Sequence, residues 1–207
     1  MAQHFLIRLL LTVIVWLPPR LSPAEDNPGL PVGSPMSDFG LRRVNPTTGA
    51  PASMVWLSDH VGPKASNAAK KLVLLNFFAT WCKPCLEELP LLAKLQQQYG
   101  PTGLQVLSVN FHTESEKVDD ALKGTVDIIK RLSLNFPVLF DRYTNRNQLI
   151  YMGTKAALPC NVLIDARGIV VARFQGARAS TLAELEAAVQ KHLKGEVGPT
   201  TKPAPLH

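Results

Sequence analysis

The chain has 207 residues, 46% of them hydrophobic and 18% charged, which is the make-up of a globular protein with room for one domain of common size plus extensions. Its net charge of +6 comes from scattered basic residues, with no basic stripe and no interleaved aromatics, which argues against nucleic-acid binding. Three cysteines, Cys82, Cys85 and Cys160, are too few for a disulfide-stapled mini-protein.

Residues 1–8 form a short segment ending on Arg8, and residues 9–17 (LLLTVIVWL) are apolar apart from Thr12. Pro18 and Pro19 then break any helix, and Ser22-Pro23-Ala24 offers small residues where a signal peptidase reads. This order predicts a secretory signal over 1–24, either cleaved or kept as a membrane anchor. The run is too short to cross ~30 Å of hydrocarbon comfortably; the competing reading is a buried helix at a domain edge. Export would put the domain outside the cytoplasm, where disulfides persist. Loss of residues 1–24, which hold Arg8 and Arg20 and no acid, would leave a net charge of +4. Residues 18–36 carry six prolines and little periodicity, and 25–36 reads as a linker into a domain over 37–194.

Within that domain, Asn45-Pro46-Thr47-Thr48-Gly49 looks like a turn, residues 54–57 a short strand, and the small, polar stretch 62–69 a loop. Residues 72–78 (LVLLNFF) are a nearly continuous apolar run, as expected of a strand buried on both faces. A helix over 83–99 follows, because Leu86, Leu89, Leu92, Leu95 and Tyr99 recur three or four residues apart; Gly100-Pro101 stops it. Residues 104–109 are the next strand. Thr113-Glu114-Ser115-Glu116 fits a capping box opening a helix with Val118, Leu122, Ile129 and Leu132 on one face. A strand at 137–140 and a short helix at 146–151 come next. Strands at 160–164 and 169–174 are joined by a turn at Asp165-Ala166-Arg167-Gly168. A second capping box, Thr181-Leu182-Ala183-Glu184, opens a last helix carrying Leu182, Leu185 and Val189, and 195–207 is a loose polar tail. The early strand–helix–strand unit implies parallel pairing and the late two-strand turn antiparallel pairing, hence an α/β fold with a mixed central sheet flanked by helices.

The chemistry centres on Trp81-Cys82-Lys83-Pro84-Cys85, set between the buried strand and its helix. A cysteine at a helix N-terminus meets unpaired N–H groups and the positive end of the macrodipole, which favour the thiolate. Such a position can lower a cysteine pKa from ~8.5 into a range of about 3.5–7.5, and the thiolate is the form that attacks a disulfide. Two intervening residues leave Cys85 close enough to resolve the mixed disulfide. Lys83 adds positive charge beside Cys82, and Pro84 suits the first turn, where its missing N–H is not needed. Half of a zinc site has the same spacing. With no second Cys-x-x-Cys, a zinc reading would have to recruit Cys160 and one of His60, His112 or His192. No metal and no cofactor is expected.

The segment Asn76-Phe77-Phe78-Ala79-Thr80-Trp81-Cys82-Lys83-Pro84-Cys85 resembles the active-site stretch of thioredoxin-like proteins, and more narrowly the exported TlpA/ResA group, whose members reduce protein disulfides, often in cytochrome c maturation. Pro90, Phe136-Pro137, Leu158-Pro159, Leu163-Ile164-Asp165 and the opening motif Asp38-Phe39-Gly40-Leu41 extend the resemblance over about residues 32–193. It implies a thioredoxin fold with an N-terminal β extension, Cys82 as nucleophile, Cys85 as resolving thiol, and Pro159 as a cis-proline shaping the peptide-docking edge. Its implied partners are protein disulfides and a membrane electron donor that recharges the pair, with membrane contact only if the N-terminal segment is uncleaved.

Glu88, three residues past Cys85 on the same helical face, stands where the group often has a glutamate near the thiols. If partly buried it would shuttle a proton to or from Cys85; otherwise it is a solvated surface residue like Glu87. Asn76 stands where thioredoxins carry a buried acid, which shifts proton handling onto Glu88 or water. Cys160 reads either as a third thiol near the pair or as a small buried residue at a strand start. His112 reads as a surface loop residue. Two other functions remain in view: a peroxiredoxin-type thiol peroxidase, for which Leu75 and Ala79 stand where Pro and Thr are needed, and a redox-inactive peptide-binding module on the same fold.

Overall fold

The structure, a computed structural model, describes residues 27–65, 70–113, 116–141, 146–155, 157–176 and 179–194. The expected signal over 1–24 and the tail over 195–207 lie outside the described residues. Among the described residues, seven strands make one sheet: β1 (Gly40–Val44), β2 (Pro51–Trp56), β3 (Leu72–Phe78), β4 (Leu104–Asn110), β5 (Val138–Phe140), β6 (Cys160–Asp165) and β7 (Val170–Gln175). The helices are α1 (Lys83–Tyr99), α2 (Val118–Leu132), α3 (Arg146–Met152) and α4 (Ala179–Leu193).

The sheet runs β2-β1-β5-β4-β3-β6-β7. β3 pairs parallel to β4, and β4 parallel to β5, while β6 pairs antiparallel to β3 and to β7. β3 is buried at every position, and its residues alternate between two cores, as a pleated strand requires. Leu72, Leu74 and Phe78 join Leu89 and Leu92 of α1, Val126 and Ile129 of α2, and Leu185 and Val189 of α4. Val73, Leu75 and Phe77 join Phe39, Leu57, Val61 and Tyr151 on the other face. The mixed, helix-flanked sheet expected from the element order is what forms.

The differences are local. β1 and β2 form the N-terminal β extension that the resemblance implies, but the residue pattern alone does not mark β1, because Arg42-Arg43 interrupts its apolar run. Those two residues are exposed, and the strand forms by pairing with both β2 and β5. β2 ends at Trp56, and Leu57 turns into a 3₁₀ turn with its side chain in the core. The first capping box does not cap: α2 starts at Val118 after an extended Lys117 with no side-chain cap, and Glu116 instead accepts a hydrogen bond from Thr80 Oγ1 at 3.1 Å. The last helix begins at Ala179, so Thr181 lies inside it rather than at its cap.

The described part of the expected linker runs along the domain. Gly33 donates to the Val170 carbonyl and Met36 to that of Gly168, and Arg173 reaches the Pro28 carbonyl. Gly153, at φ +86°, closes α3 against this segment; a Cβ there would strike the Asn27 carbonyl. Tyr151 completes the attachment. Its ring is fully buried between Phe39 and Phe77, and its hydroxyl donates to the Ser37 carbonyl. Tyr151→Phe leaves that carbonyl without its partner and is expected to lower the urea-unfolding free energy by about 1–2 kcal/mol. A variant as stable as wild type would show that the bond contributes nothing.

Candidate active site

β3 ends at Phe78, and Ala79, Thr80 and Trp81 carry the chain into α1 with Cys82 as its N-cap. The cap backbone is extended, at φ −83° and ψ 94°. Cys82 Sγ accepts a hydrogen bond from the Cys85 N–H at 3.3 Å, where an ordinary cap would offer a side-chain oxygen. An N–H of the first turn therefore points at the sulfur, and the helix dipole adds positive potential there, so a freed Cys82 is favoured as thiolate. Pro84 falls in the first turn, as expected, and Pro90 lies inside the helix. Cys82 and Cys85 are joined as a disulfide, their Cα atoms 5.2 Å apart.

The two sulfurs differ in access. Cys82 borders an open groove of about 550 Å³ with Trp81, Lys83 and Pro84 from its own turn and Leu149, Met152 and Leu158 opposite. Trp81 is 57% exposed, so the rim of the groove is apolar and open to solvent. Cys85 is 1% exposed and faces the core. Cys82 is itself only 6% exposed, but it lines the groove and Cys85 does not, so the groove gives an incoming sulfur a route to Cys82. The Leu158–Pro159 peptide is cis and leads into β6 beside this groove.

Glu88, one turn past Cys85, is 3% exposed, which removes the surface reading. Its Oε1 accepts from Asn161 Nδ2 at 2.8 Å and its Oε2 from Asn76 Nδ2 at 3.3 Å. Asn76 Nδ2 also donates to Asn161 Oδ1 at 2.9 Å, and Ser108 Oγ donates to Asn76 Oδ1 at 2.6 Å. The strand register explains the cluster: Asn76 sits directly opposite Asn161 in β6 and Ser108 in β4, which makes a polar row on the sheet face that α1 covers. Burial strips water from the carboxylate and pushes its pKa up; the amides of Asn161 and Asn76 pull it back, and it settles at about 7. Near neutrality such a group can take a proton or give one.

Asn161 and Ser108 were not among the residues singled out from the sequence. The signal was there: Ser108 sits between Leu107 and Val109, and Asn161 between Cys160 and Val162-Leu163-Ile164, and a buried polar side chain must find a partner. Cys160 proves to be the small buried residue. It is free, fully buried, and belongs to the core on the sheet face away from Cys82 and Cys85. Burial pushes its thiol up to about 11, with Arg173 only partly offsetting that. His112 is not a surface residue: it is 7% exposed, stacks on Phe140 with ring centroids 5.5 Å apart, and its Nε2 lies 2.8 Å from the Asp141 carbonyl oxygen. Among the described residues, no group of three or more His, Cys, Asp or Glu is placed to hold a metal ion, and no helix is long and apolar enough to cross a membrane.

Residues 49–189 match the Redoxin family. The chain is 37% identical over 114 residues to the thioredoxin-like protein YneN of Bacillus subtilis, covering 53% of this chain and 60% of that one. It is 31% identical over 162 residues to the thiol-disulfide oxidoreductase ResA of Oceanobacillus iheyensis, covering 78% of this chain and 73% of that one. Against a ResA of Bacillus cereus it is 33% identical over 121 residues, 58% of this chain and 63% of that protein. The match thus spans somewhat under two thirds of YneN and of the B. cereus ResA. A crystal structure from Chlorobium tepidum, provisionally named a thiol:disulfide interchange protein DsbE, superposes with a TM-score of 0.60 at 29% identity, over 80% of this chain and 99% of that one. The chain belongs to the Redoxin family, within its thioredoxin-like, TlpA/ResA-type branch.

Unfolded, Glu88 titrates near its ordinary carboxylate value; folded, near 7. Between those values the native state holds a proton that the unfolded state has lost, so stability falls as pH rises through the window. Glu88→Gln removes this dependence. Its unfolding free energy relative to wild type is expected to rise by about 2–3 kcal/mol between about pH 4 and pH 8; a difference flat in pH would contradict the raised value. Cys160→Ser, altering only the far face of the sheet, is expected to leave the Cys82–Cys85 reduction potential within about 10 mV of wild type, well under the ~30 mV that marks a tenfold change. A larger shift would bring Cys160 into the redox chemistry.

Proposed function

Given that membership, we propose that the protein is a thiol–disulfide oxidoreductase that reduces disulfides of other proteins outside the cytoplasm. The observation that carries this reading is the asymmetry of the pair: Cys82 caps α1 at the edge of an open groove, while Cys85 is sealed in the core one turn from a carboxyl that titrates near neutrality. A sulfur meant for packing or for a structural bridge needs neither the groove nor the carboxyl.

In the reducing direction the Cys82 thiolate attacks one sulfur of a client disulfide. A Cys82–client bond forms, and the other client sulfur leaves as a thiolate that takes a proton from water. Cys85 then gives its S–H proton to Glu88, its sulfur bonds to Cys82 Sγ, and the Cys82–client bond breaks, releasing the second client sulfur as a thiolate that takes its proton from water. Two electrons have passed from the protein dithiol to the client, leaving the Cys82–Cys85 disulfide and a proton on Glu88 that returns to solvent. A dithiol donor must then reduce the disulfide again, and a membrane protein is the class of donor proposed. Leu158 lines one edge of the groove, and the proposed role of Pro159 is to set that edge through its cis peptide bond, where an extended client segment would lie; Trp81, Lys83 and Pro84 line the groove from the α1 side. The signal-like pattern over 1–24 supports export of the 37–194 domain. The ResA and DsbE names of its relatives support the same class of reaction.

In a dithiothreitol-driven insulin assay the protein is expected to accelerate precipitation, and Cys82→Ser to abolish the effect. Cys85→Ser is expected to accumulate a mixed disulfide visible by mass spectrometry. No acceleration over the blank would favour a redox-inactive binding module, and rapid consumption of hydrogen peroxide a peroxidase. A reduction potential near about −270 mV fits a reductant, while one near about −120 mV would reverse the proposed direction.

A further inference from the structure

We infer that Asn161 is a positioning residue for the thiol chemistry: from β6 its amide clamps the Glu88 carboxylate, together with Asn76, in one orientation and sets the proton affinity at which Glu88 serves Cys85. This rests on the reading of Glu88 as the proton acceptor for Cys85. Asn161 is 1% exposed and is flanked along β6 by Cys160, Val162, Leu163 and Ile164, all fully buried and apolar. An amide in that setting is costly without partners. Both of its polar atoms find them in one ring: Nδ2 donates to Glu88 Oε1, and Oδ1 accepts from Asn76 Nδ2.

The ring has a direction. An ionised carboxylate only accepts, so it holds the NH₂ ends of both asparagines toward Glu88. Asn76 Oδ1 is then left to face Ser108, whose hydroxyl donates to it. The donors are thus arrayed for the charged form of Glu88, and no cation is paired with it among the described residues. The titratable group on the carboxyl's own side of the sheet is Cys85, on its own helix; Cys160 of β6 lies on the far face, where the carboxylate charge still pushes its thiol upward. Arg173 on β7 lies against Cys160. Asn76 on β3 and Ser108 on β4 bring no charge. With no cation available, the two amides are what offset burial, and Asn161 makes the shorter bond, 2.8 Å against 3.3 Å for Asn76.

The test follows the Glu88 side-chain carbon by NMR in the oxidised, full-length protein carrying ¹³C-labelled glutamate, the resonance being assigned by its absence in Glu88→Gln. In Asn161→Ala the titration midpoint is expected to rise by about one pH unit, the effect of losing one hydrogen bond to a charged group. In Asn161→Asp, which keeps the shape but sets a carboxylate where the donor was, it is expected to rise further. Asn161→Ser, whose hydroxyl can still donate, is expected to fall between wild type and Ala. A midpoint unmoved in folded Asn161→Ala overturns the inference; if that variant does not fold, an unmoved midpoint in the isosteric Asn161→Asp does the same. A second readout, the pH profile of the rate at which Cys85 releases a small thiol from a preformed Cys82 mixed disulfide, is expected to move with the NMR midpoint. If the midpoint moves and the release profile does not, Asn161 still holds Glu88 but Glu88 does not serve Cys85, and it is the proton-acceptor reading that fails.

Discussion

A carboxyl group taken out of water must have its charge met by hydrogen bonds or a cation, or else keep its proton. Glu88 meets that demand halfway. Two amides reach it and no cation pairs with it among the described residues, so it stays ionisable but only near neutrality. Much of the site follows from satisfying this one group. The polar row Ser108–Asn76–Asn161 requires β4, β3 and β6 to be in register to the residue, and it requires α1 to lie across them with Glu88 pointing down. Once α1 is so placed, its N-terminus and Cys82 emerge at the end of β3, beside the groove.

The sheet is also a partition. Because β6 alternates, Asn161 shares the α1 face with the disulfide while Cys160, its neighbour, is turned to the other core. One residue of separation along a strand thus divides a thiol whose pKa burial raises from the amide that holds the Glu88 carboxyl. The same alternation in β3 puts Phe77 against Tyr151 on the far face and Phe78 among the helices on the near one. Tyr151 in turn anchors the segment before β1, and α3, which carries it, supplies Leu149 and Met152 to the groove. The far core and the groove are therefore mechanically joined through a helix of seven residues.

Elements with strong local periodicity were legible from residues alone. β3 and α1 fall on the residues that their apolar runs and the Gly100-Pro101 stop predict, since a doubly buried strand and an amphipathic helix write their burial into the chain. The capping boxes misled, because a Ser/Thr-x-x-Glu pattern states only that a cap is available. At 113–116 the glutamate serves Thr80 instead, and α2 begins later. β1 was illegible because its exposed arginines break the pattern, and its strand character comes from the two neighbours it pairs with.

For the site, the sequence by itself determined the Cys82–Cys85 pair: Cys-x-x-Cys between a buried strand and a proline-bearing helix start is a local arrangement, and local geometry is enough to cap a helix with sulfur. It also carried a glutamate one turn on, but not that glutamate's surroundings. Burial of Glu88, the amides that hold it, the exile of Cys160 to the far core and the burial of His112 were decided only by the tertiary structure. They depend on which strands lie side by side and in what register. A one-residue slip of β6 would exchange Asn161 for Cys160 beneath Glu88, and no stretch of chain near either residue encodes that choice.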